Sequence, residues 1–115
     1  MDKKTDSNIK LFIQAVANNN PGFVTAFLFG SYVRNSQTVD SDIDLALIIK
    51  NLEDADRFDF QVQLMMLASQ YDTRIEPHPL STEDLDSGNP FVHEILTSGI
   101  EIKLTREKTS GIWPS

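Results

Sequence analysis

Two aspartates, Asp42 and Asp44, stand at the start of a strongly apolar segment that runs to Ile49. In a β-strand, residues two apart project from the same face, so both carboxylates would point to one place. Like charges this close repel each other, and a hard divalent cation such as Mg²⁺ relieves the repulsion by accepting oxygen ligands. In two-metal phosphoryl transfer, shared carboxylates bridge ions about 3.5–4 Å apart. We therefore predict that Asp42 and Asp44 bind two Mg²⁺ ions.

A phosphate-binding turn is predicted shortly before these acids. Gly30 and Ser31 follow the β-prone segment 23–29 and would open a short helix. Backbone N–H groups at a helix start, together with the serine hydroxyl, attract anionic phosphates, and glycine lets a phosphate approach the backbone closely. Arg34 comes three residues after Ser31, on the same side of the turn, where its guanidinium could bind a phosphate or orient an acid.

Taken separately, each feature has an ordinary structural interpretation: a Gly-Ser step is usually only a turn, and a single Asp-x-Asp is usually the solvated start of a strand. Together, Gly30-Ser31, ten intervening residues and Asp42-Ile43-Asp44 resemble the signature of the DNA polymerase beta-like nucleotidyltransferase superfamily. Within it, residues 27–104 resemble the minimal nucleotidyltransferase (MNT) group, whose members are single domains of about this length. The family pattern often has a glycine directly after the arginine, where this chain has Asn35.

The resemblance implies a third carboxylate on an adjacent strand, which completes the metal site or accepts the proton of the attacking hydroxyl. Glu76, in the segment Arg74–Pro77, takes that position. Asp72 is the competing acid, but it precedes the predicted strand and is expected in the turn after the long helix. His78 lies between two prolines, where it could contact substrate, whereas His93 is expected to be exposed or to cap a short helix.

The resemblance also implies a function, the magnesium-dependent transfer of a nucleoside monophosphate, expected to be AMP from ATP, to an acceptor hydroxyl. It further implies a helical partner, commonly a HEPN-type protein in a toxin–antitoxin pair whose antitoxin is the MNT member, so the acceptor would be a protein hydroxyl. Two alternatives stay open: a nucleotide-binding regulatory module without turnover, and an aminoglycoside-type nucleotidyltransferase that modifies a small molecule as a homodimer. An assay with labelled nucleoside triphosphates distinguishes a binding module from a transferase, and antibiotic resistance on expression would favour the small-molecule enzyme.

The composition limits the other function classes. The 115 residues suffice for one domain, placed at residues 1–104, with 105–115 as a C-terminal tail that is expected to be flexible. The net charge of −7 opposes binding to long nucleic acid, whose affinity depends on Lys and Arg. No apolar run approaches the roughly 20 residues that span a bilayer, and the absence of cysteine excludes disulfides and thiolate chemistry. A cytoplasmic protein is the default expectation.

The spacing of apolar residues predicts a small α/β domain, a mixed β-sheet flanked by helices. Helices and strands are expected to alternate along the chain. The helices are expected over 7–18, 54–70 and 90–98, with the Gly30 turn as a further short helix, and the strands over 23–29, 43–49, 74–76 and 100–104. The strand 74–76 is expected to end at Pro77, which cannot donate to a ladder, and to carry Glu76 on the same face as Arg74.

The long helix carries two apolar stripes on nearly opposite faces, one with Phe58, Val62, Met65 and Met66, the other with Phe60, Leu64, Leu67 and Tyr71. One stripe suffices to cover a small sheet. We expect the stripe that contains Leu64 to contact a partner or another copy of the chain, unless the C-terminal helix or tail buries it.

Overall fold

The computed structural model describes residues 3–33 and 41–104. Its helices are α1 (Lys3–Asn19), α2 (Asp54–Ala68) and α3 (Pro90–Ser98), and its strands are β1 (Phe23–Phe29), β2 (Ile43–Ile49), β3 (Ile75–Ser81) and β4 (Ile100–Ile102). Short 3-10 turns, Gly30–Tyr32 and Glu83–Asp86, follow β1 and β3. No helix within the described ranges combines the length and the apolarity needed to cross a bilayer. The predicted tail 105–115 lies outside these ranges.

The four strands form one mixed sheet in the order β3-β2-β1-β4. β1 runs antiparallel to both β2 and β4, whereas β2 and β3 run parallel to each other. The predicted α/β class is therefore confirmed, as is the pairing of the two apolar strands. Because β2 and β3 are parallel, their N-terminal ends meet the C-terminal end of β1 at one end of the sheet.

Alternation along β2 divides its side chains between the two faces of the sheet. Ile43 and Leu45 point to the face covered by α1 and α2, where the main apolar core forms. Asp44 and Ala46 point to the opposite face, over which α3 packs against β1. From Leu45 to the end of β2 every side chain is buried, so Asp44 lies at the only solvent-accessible stretch of this strand.

β3 forms one edge of the sheet and contains Pro77 and Pro79. Their carbonyl oxygens accept hydrogen bonds from α2, from Gln61 Nε2 at 2.6 Å and from Arg57 Nη1 at 3.0 Å, and so point away from β2. An N–H group at either position would also point off the sheet, so neither proline removes a ladder hydrogen bond. The prediction that this strand ends at Pro77 is therefore wrong, and β3 continues beside β2 to Ser81.

Arg74 accounts for two further differences from the expectation. Its Nη2 donates to Oγ1 of buried Thr5 at 3.0 Å, and this tertiary contact stabilises the first turn of α1, which begins at Lys3 rather than at residue 7. The same contact directs the guanidinium to the α1 side of the sheet, whereas Glu76 lies on the Asp44 side. The expectation that Arg74 and Glu76 share a face is wrong, because strand geometry begins only at Ile75.

The two apolar stripes of α2 are used in the opposite way to the prediction. Leu64 is 2% exposed, and the rest of its stripe packs against the core. The exposed side chains belong to the other stripe: Phe58, Val62, Met65 and Met66. Arg57 and Gln61, at helical spacing from Leu64, favour this orientation because both bind the carbonyl oxygens of β3. The assignment of the Leu64 stripe to an interface is therefore wrong.

The burial of Leu64 leads to a stability prediction. Leu64→Ala should lower the free energy of unfolding by about 2–5 kcal/mol, because it leaves a cavity between α2 and the sheet. Met66→Ala truncates a side chain that is 66% exposed and should change the free energy by less than about 0.5 kcal/mol. Urea denaturation of both variants measures the difference, and equal effects would contradict this orientation of α2.

Candidate active site

The sheet aligns three side chains at its open end. Phe29 lies opposite Asp44 in the antiparallel pair β1/β2, and Asp44 lies beside Glu76 in the parallel pair β2/β3. The three residues form one row across three strands, on the face over which α3 packs. The parallel register therefore brings together two acids that are far apart in sequence.

Asp44, Glu76 and His78 form a compact cluster. One ligand atom from each lies within 4.8 Å of the others, and Nε2 of His78 is 3.2 Å from Oδ1 of Asp44. The side chains of Asp44 and His78 are 22% and 28% exposed, so the cluster is partly open to solvent. His78 comes two residues after Glu76 on β3 and for that reason shares its face.

The pKa of the Glu76 carboxyl is raised above its ordinary value. Burial is the largest cause, a hydrogen bond with Asp44 and the negative charges of Asp44 and Asp42 add to it, and His78 opposes it. A hydrogen bond between two carboxyl groups requires a proton on one of them, because both cannot ionise at such short range. A divalent cation can replace that proton as the shared positive charge.

The donor set fits a divalent cation. Asp44 and Glu76 offer carboxylate oxygens, the ligands that Mg²⁺ prefers, from neighbouring strands. Imidazole suits transition metals better than Mg²⁺, so His78 is better suited to orienting the Asp44 carboxylate. Asp42 is exposed and immediately precedes β2; it does not belong to the cluster of three found among the described residues, but its charge acts on Glu76.

Gly30 joins the end of β1 to this cluster. Its φ is +80°, a conformation that residues with a Cβ atom rarely adopt. A Cβ atom here would also lie 2.5 Å from Oδ2 of Asp44. Glycine is thus required both by the backbone and by the close approach of the carboxylate. Ser31 follows in the same turn and is half-buried, whereas Arg34, the third predicted phosphate-binding residue, lies outside the described residues.

Arg74 attaches the end of this turn to the rest of the domain. Its Nη1 donates to the hydroxyl of Tyr32 at 3.0 Å, and Asp72 accepts from the same guanidinium with both carboxylate oxygens, at 3.0 Å from Nε and 2.8 Å from Nη2. The hydrogen bonds from Arg74 lower the pKa of Asp72, although burial opposes the shift. Asp72, the competing third acid, is therefore engaged in this ion pair, and Glu76 is the acid beside Asp44.

Three aromatic rings form a wall beside the acids. The ring of Phe29 lies 5.2 Å from that of His78 and 5.5 Å from that of Phe91, and the rings of His78 and Phe91 are 6.1 Å apart. These separations are typical of favourable edge-to-face and tilted contacts. Phe91, at the start of α3, is 45% exposed, so the wall offers an aromatic surface next to the acidic cluster.

The sequence-based reasoning gave too little weight to His78 and did not identify the link from Arg74 to Tyr32. A signal for His78 exists, because it follows Glu76 by two residues and must share its face if the strand continues. The predicted strand end at Pro77 places His78 outside the strand, so its shared face with Glu76 is not apparent. No local pattern predicts the contact between Arg74 and Tyr32. His93 is exposed, as expected.

The family model described as "Polymerase beta, Nucleotidyltransferase" matches residues 12–108. The chain belongs to this nucleotidyltransferase family. The matched region of this nucleotidyltransferase contains the Gly30 turn and all three predicted acids, Asp42, Asp44 and Glu76. No curated protein sequence matches the chain significantly.

Solved structures share the fold of this nucleotidyltransferase. A Sulfolobus solfataricus protein assigned as a nucleotidyltransferase has a TM-score of 0.60 at 21% identity, over 94% of this chain and 92% of that chain. A toxin–antitoxin structure with AMP-PNP has a TM-score of 0.57 at 25% identity, over 88% and 76%. The tri-AMPylated Shewanella oneidensis HEPN toxin in complex with MNT antitoxin has a TM-score of 0.54 at 23% identity, over 90% and 76%. The fold is that of a minimal nucleotidyltransferase domain.

Two glycines with positive φ allow a matched test of the Gly30 contact. Gly30→Ala and Gly88→Ala should each lower the free energy of unfolding by about 1 kcal/mol, because both force alanine into a left-handed backbone conformation. Only at Gly30 would the new Cβ displace the Asp44 carboxylate, since at Gly88 it would meet nothing within 4 Å. Nucleotidyl transfer should therefore fall about 10²-fold in Gly30→Ala alone. Retained activity in Gly30→Ala would show that the contact is unimportant.

The Asp72–Arg74 pair predicts a pH-dependent loss of stability. Because the folded-state pKa of Asp72 is lowered, its contribution is fully present above the ordinary aspartate pKa of about 4 and is lost as the pH falls through the lowered value. Asp72→Asn should destabilise the protein by about 1–3 kcal/mol at pH 7, and the difference from the wild type should shrink on acidification below about pH 4. Denaturation curves at several pH values check this. A difference that stays constant with pH would exclude the ion pair as its cause.

Proposed function

We propose that this domain transfers AMP from ATP, with Mg²⁺, to a hydroxyl group of a helical HEPN-type partner protein. The observation that carries the proposal is the pairing of Asp44 with Glu76 directly beside the Gly30 turn, in a chain of the nucleotidyltransferase family. The solved structures add support, since one relative contains AMP-PNP and another contains an AMPylated HEPN toxin.

In this proposal Asp42, Asp44 and Glu76 hold two Mg²⁺ ions. When bound, Mg²⁺ supplies positive charge that offsets the charge of the triphosphate and of the departing pyrophosphate. Asp44 contributes most directly, because its carboxylate lies between Gly30, Glu76 and His78. His78 keeps that carboxylate in place through the 3.2 Å contact from Nε2.

Gly30, Ser31 and Arg34 hold the triphosphate in the proposed complex. Glycine allows the phosphates to approach the backbone, and the serine hydroxyl and the arginine guanidinium add donors. The bond that forms joins the acceptor oxygen to the α-phosphorus, and the bond that breaks joins the α-phosphorus to the oxygen of pyrophosphate. Glu76 acts as the third metal ligand or as the base that takes the acceptor proton, and its raised pKa suits a base.

The proposal of a HEPN-type partner rests on the similar solved structures and not on contacts within this chain. Relatives similar to this domain occur in toxin–antitoxin complexes, one of them with an MNT antitoxin bound to a HEPN toxin. We therefore place this domain as the antitoxin of such a pair, acting in the cytoplasm. A homo-oligomer that modifies a small molecule is the competing arrangement, and the transfer assay below distinguishes it.

The test uses the domain, its HEPN-type partner, Mg²⁺ and each of the four α-labelled nucleoside triphosphates. We expect label from ATP to appear on the partner protein. Asp44→Asn should lower the transfer rate by about 10²–10³-fold or more, because it removes a charge on which the transition state depends. Asp6→Asn, which removes an exposed acid of α1 on the other face of the sheet, should leave the rate unchanged.

Thermal melts with ATP and Mg²⁺ separate binding from transfer. Stabilisation of the wild type that is absent from Asp44→Asn, without any labelled product, would identify a nucleotide-binding regulatory module and contradict the proposal. Label on an aminoglycoside with none on protein would move the domain to the small-molecule class. Absence of both stabilisation and label would show that the acidic cluster is not a nucleotidyl transfer site.

A further inference from the structure

The exposed apolar side chains of α2 form a continuous surface that we call the outer α2 stripe: Phe58, Val62, Met65 and Met66. Phe58 is 76% exposed and Met66 is 66% exposed, and the other two are also exposed. Their spacing places them on one face over two helical turns, a length of about 12 Å. Contiguous apolar surfaces of this kind mark interaction sites, and methionine adapts its shape to different partners.

The opposite side of α2 packs against the rest of this domain. Leu64 and Ala68 are buried in the core, and Arg57 and Gln61 bind the carbonyl oxygens of β3. Among the described residues, the outer α2 stripe takes no part in the core, and it lies on a helix that these contacts hold in place. α2 covers the face of the sheet opposite to Asp44, so a partner bound to the stripe would leave the acidic cluster accessible.

The charges around the stripe indicate which partner it fits. Residues 53–59 contain four acids and one base, a net charge of −3 at the N-terminal end of the helix. The single base, Arg57, is paired with Asp54 at 2.9 Å and with Asp84 at 3.0 Å. Asp59 borders the stripe three residues before Val62 and is exposed. A complementary surface carries Lys or Arg beside its apolar groups.

A second copy of this chain fits poorly. Two α2 helices packed in parallel would place acids against acids. Packed antiparallel, the acidic first turns of each helix would lie beside the C-terminal end of the other, which carries the negative pole of the helix dipole. Each copy also brings a net charge of −7 to the contact. An anionic membrane surface is disfavoured for the same electrostatic reason.

We propose that the outer α2 stripe binds an amphipathic helix of a partner protein whose apolar face is flanked by Lys or Arg residues. The stripe presents its apolar side chains at helical spacing, which suits packing against another helix, while the acids at the N-terminal end fix the orientation of that helix. This surface is independent of the nucleotidyl transfer chemistry, because it stands on contacts of α2 alone.

The test uses fluorescent peptides of about 18 residues and the full-length protein, with binding followed by anisotropy at low and high salt. The first peptide forms an amphipathic helix with a leucine stripe flanked by lysines. The second replaces those lysines with glutamates, and the third scrambles the first so that no stripe forms. We expect only the first peptide to bind specifically.

Matched variants locate the binding surface. Phe58→Glu and Met66→Glu should each weaken binding of the lysine peptide at least about tenfold, and Asp59→Asn should weaken it at low salt more than at high salt. Leu11→Glu introduces the same charge at a 53% exposed leucine of α1 and should have no effect. Circular dichroism melts test whether the variants remain folded, which we expect because the substituted positions are exposed.

Five results would overturn the proposal. Equal binding of the scrambled peptide, or an equal effect of Leu11→Glu, would mean general charge attraction. A dimer of the wild type that Phe58→Glu dissociates would make the stripe a contact between two copies. Binding to phosphatidylserine vesicles that Met66→Glu abolishes would make it a membrane surface. Absence of binding by the lysine peptide would remove the stripe as a helix-binding site, whatever the transfer assay shows.

Discussion

The repulsion between the carboxylates of Asp44 and Glu76 is the constraint on which this domain depends. Parallel pairing of β2 with β3 fixes the two acids side by side, and burial prevents water from fully screening them. In the free domain, burial and the neighbouring Asp44 raise the pKa of Glu76. Because a cation relieves the repulsion between the two carboxylates, the repulsion increases the affinity of the site for a cation. The order of the strands therefore contributes to function.

The rest of the fold holds that pair in place. On one side, Gln61 and Arg57 of α2 bind the carbonyl oxygens of the edge strand β3, so Glu76 lies on a strand that is fixed along both edges. On the other side, Gly30 allows the turn after β1 to approach the Asp44 carboxylate. Arg74 ties that turn to α1 and to the start of β3. These contacts link the Gly30 turn to the acids and to the neighbouring elements, which favours a preorganised site.

Local sequence patterns predicted much of this fold and singled out Gly30 and Asp44, which lie in contact in the structure. The place of Glu76 on a strand beside the aspartates followed from the family resemblance. The orientation of α2 could not be predicted, because its two stripes are similarly apolar and the choice depends on the carbonyl oxygens of Pro77 and Pro79. The predicted end of β3 at Pro77 was wrong for a related reason. A proline interrupts a ladder or not according to whether its strand lies at an edge of the sheet, and only the sheet order shows which strands are edges.

Our central claim is that Asp44 and Glu76 together bind at least one of the two proposed divalent cations. A crystal structure with Mn²⁺ and a non-hydrolysable ATP analogue tests it most directly, because anomalous scattering locates the ion without reference to the protein. We predict a peak between the two carboxylates, at ligand distances of about 2.0–2.3 Å, with the phosphates against Gly30 and Ser31. A structure in which the analogue is bound, no ion lies between Asp44 and Glu76, and the Mn²⁺ is held by other residues would contradict that claim.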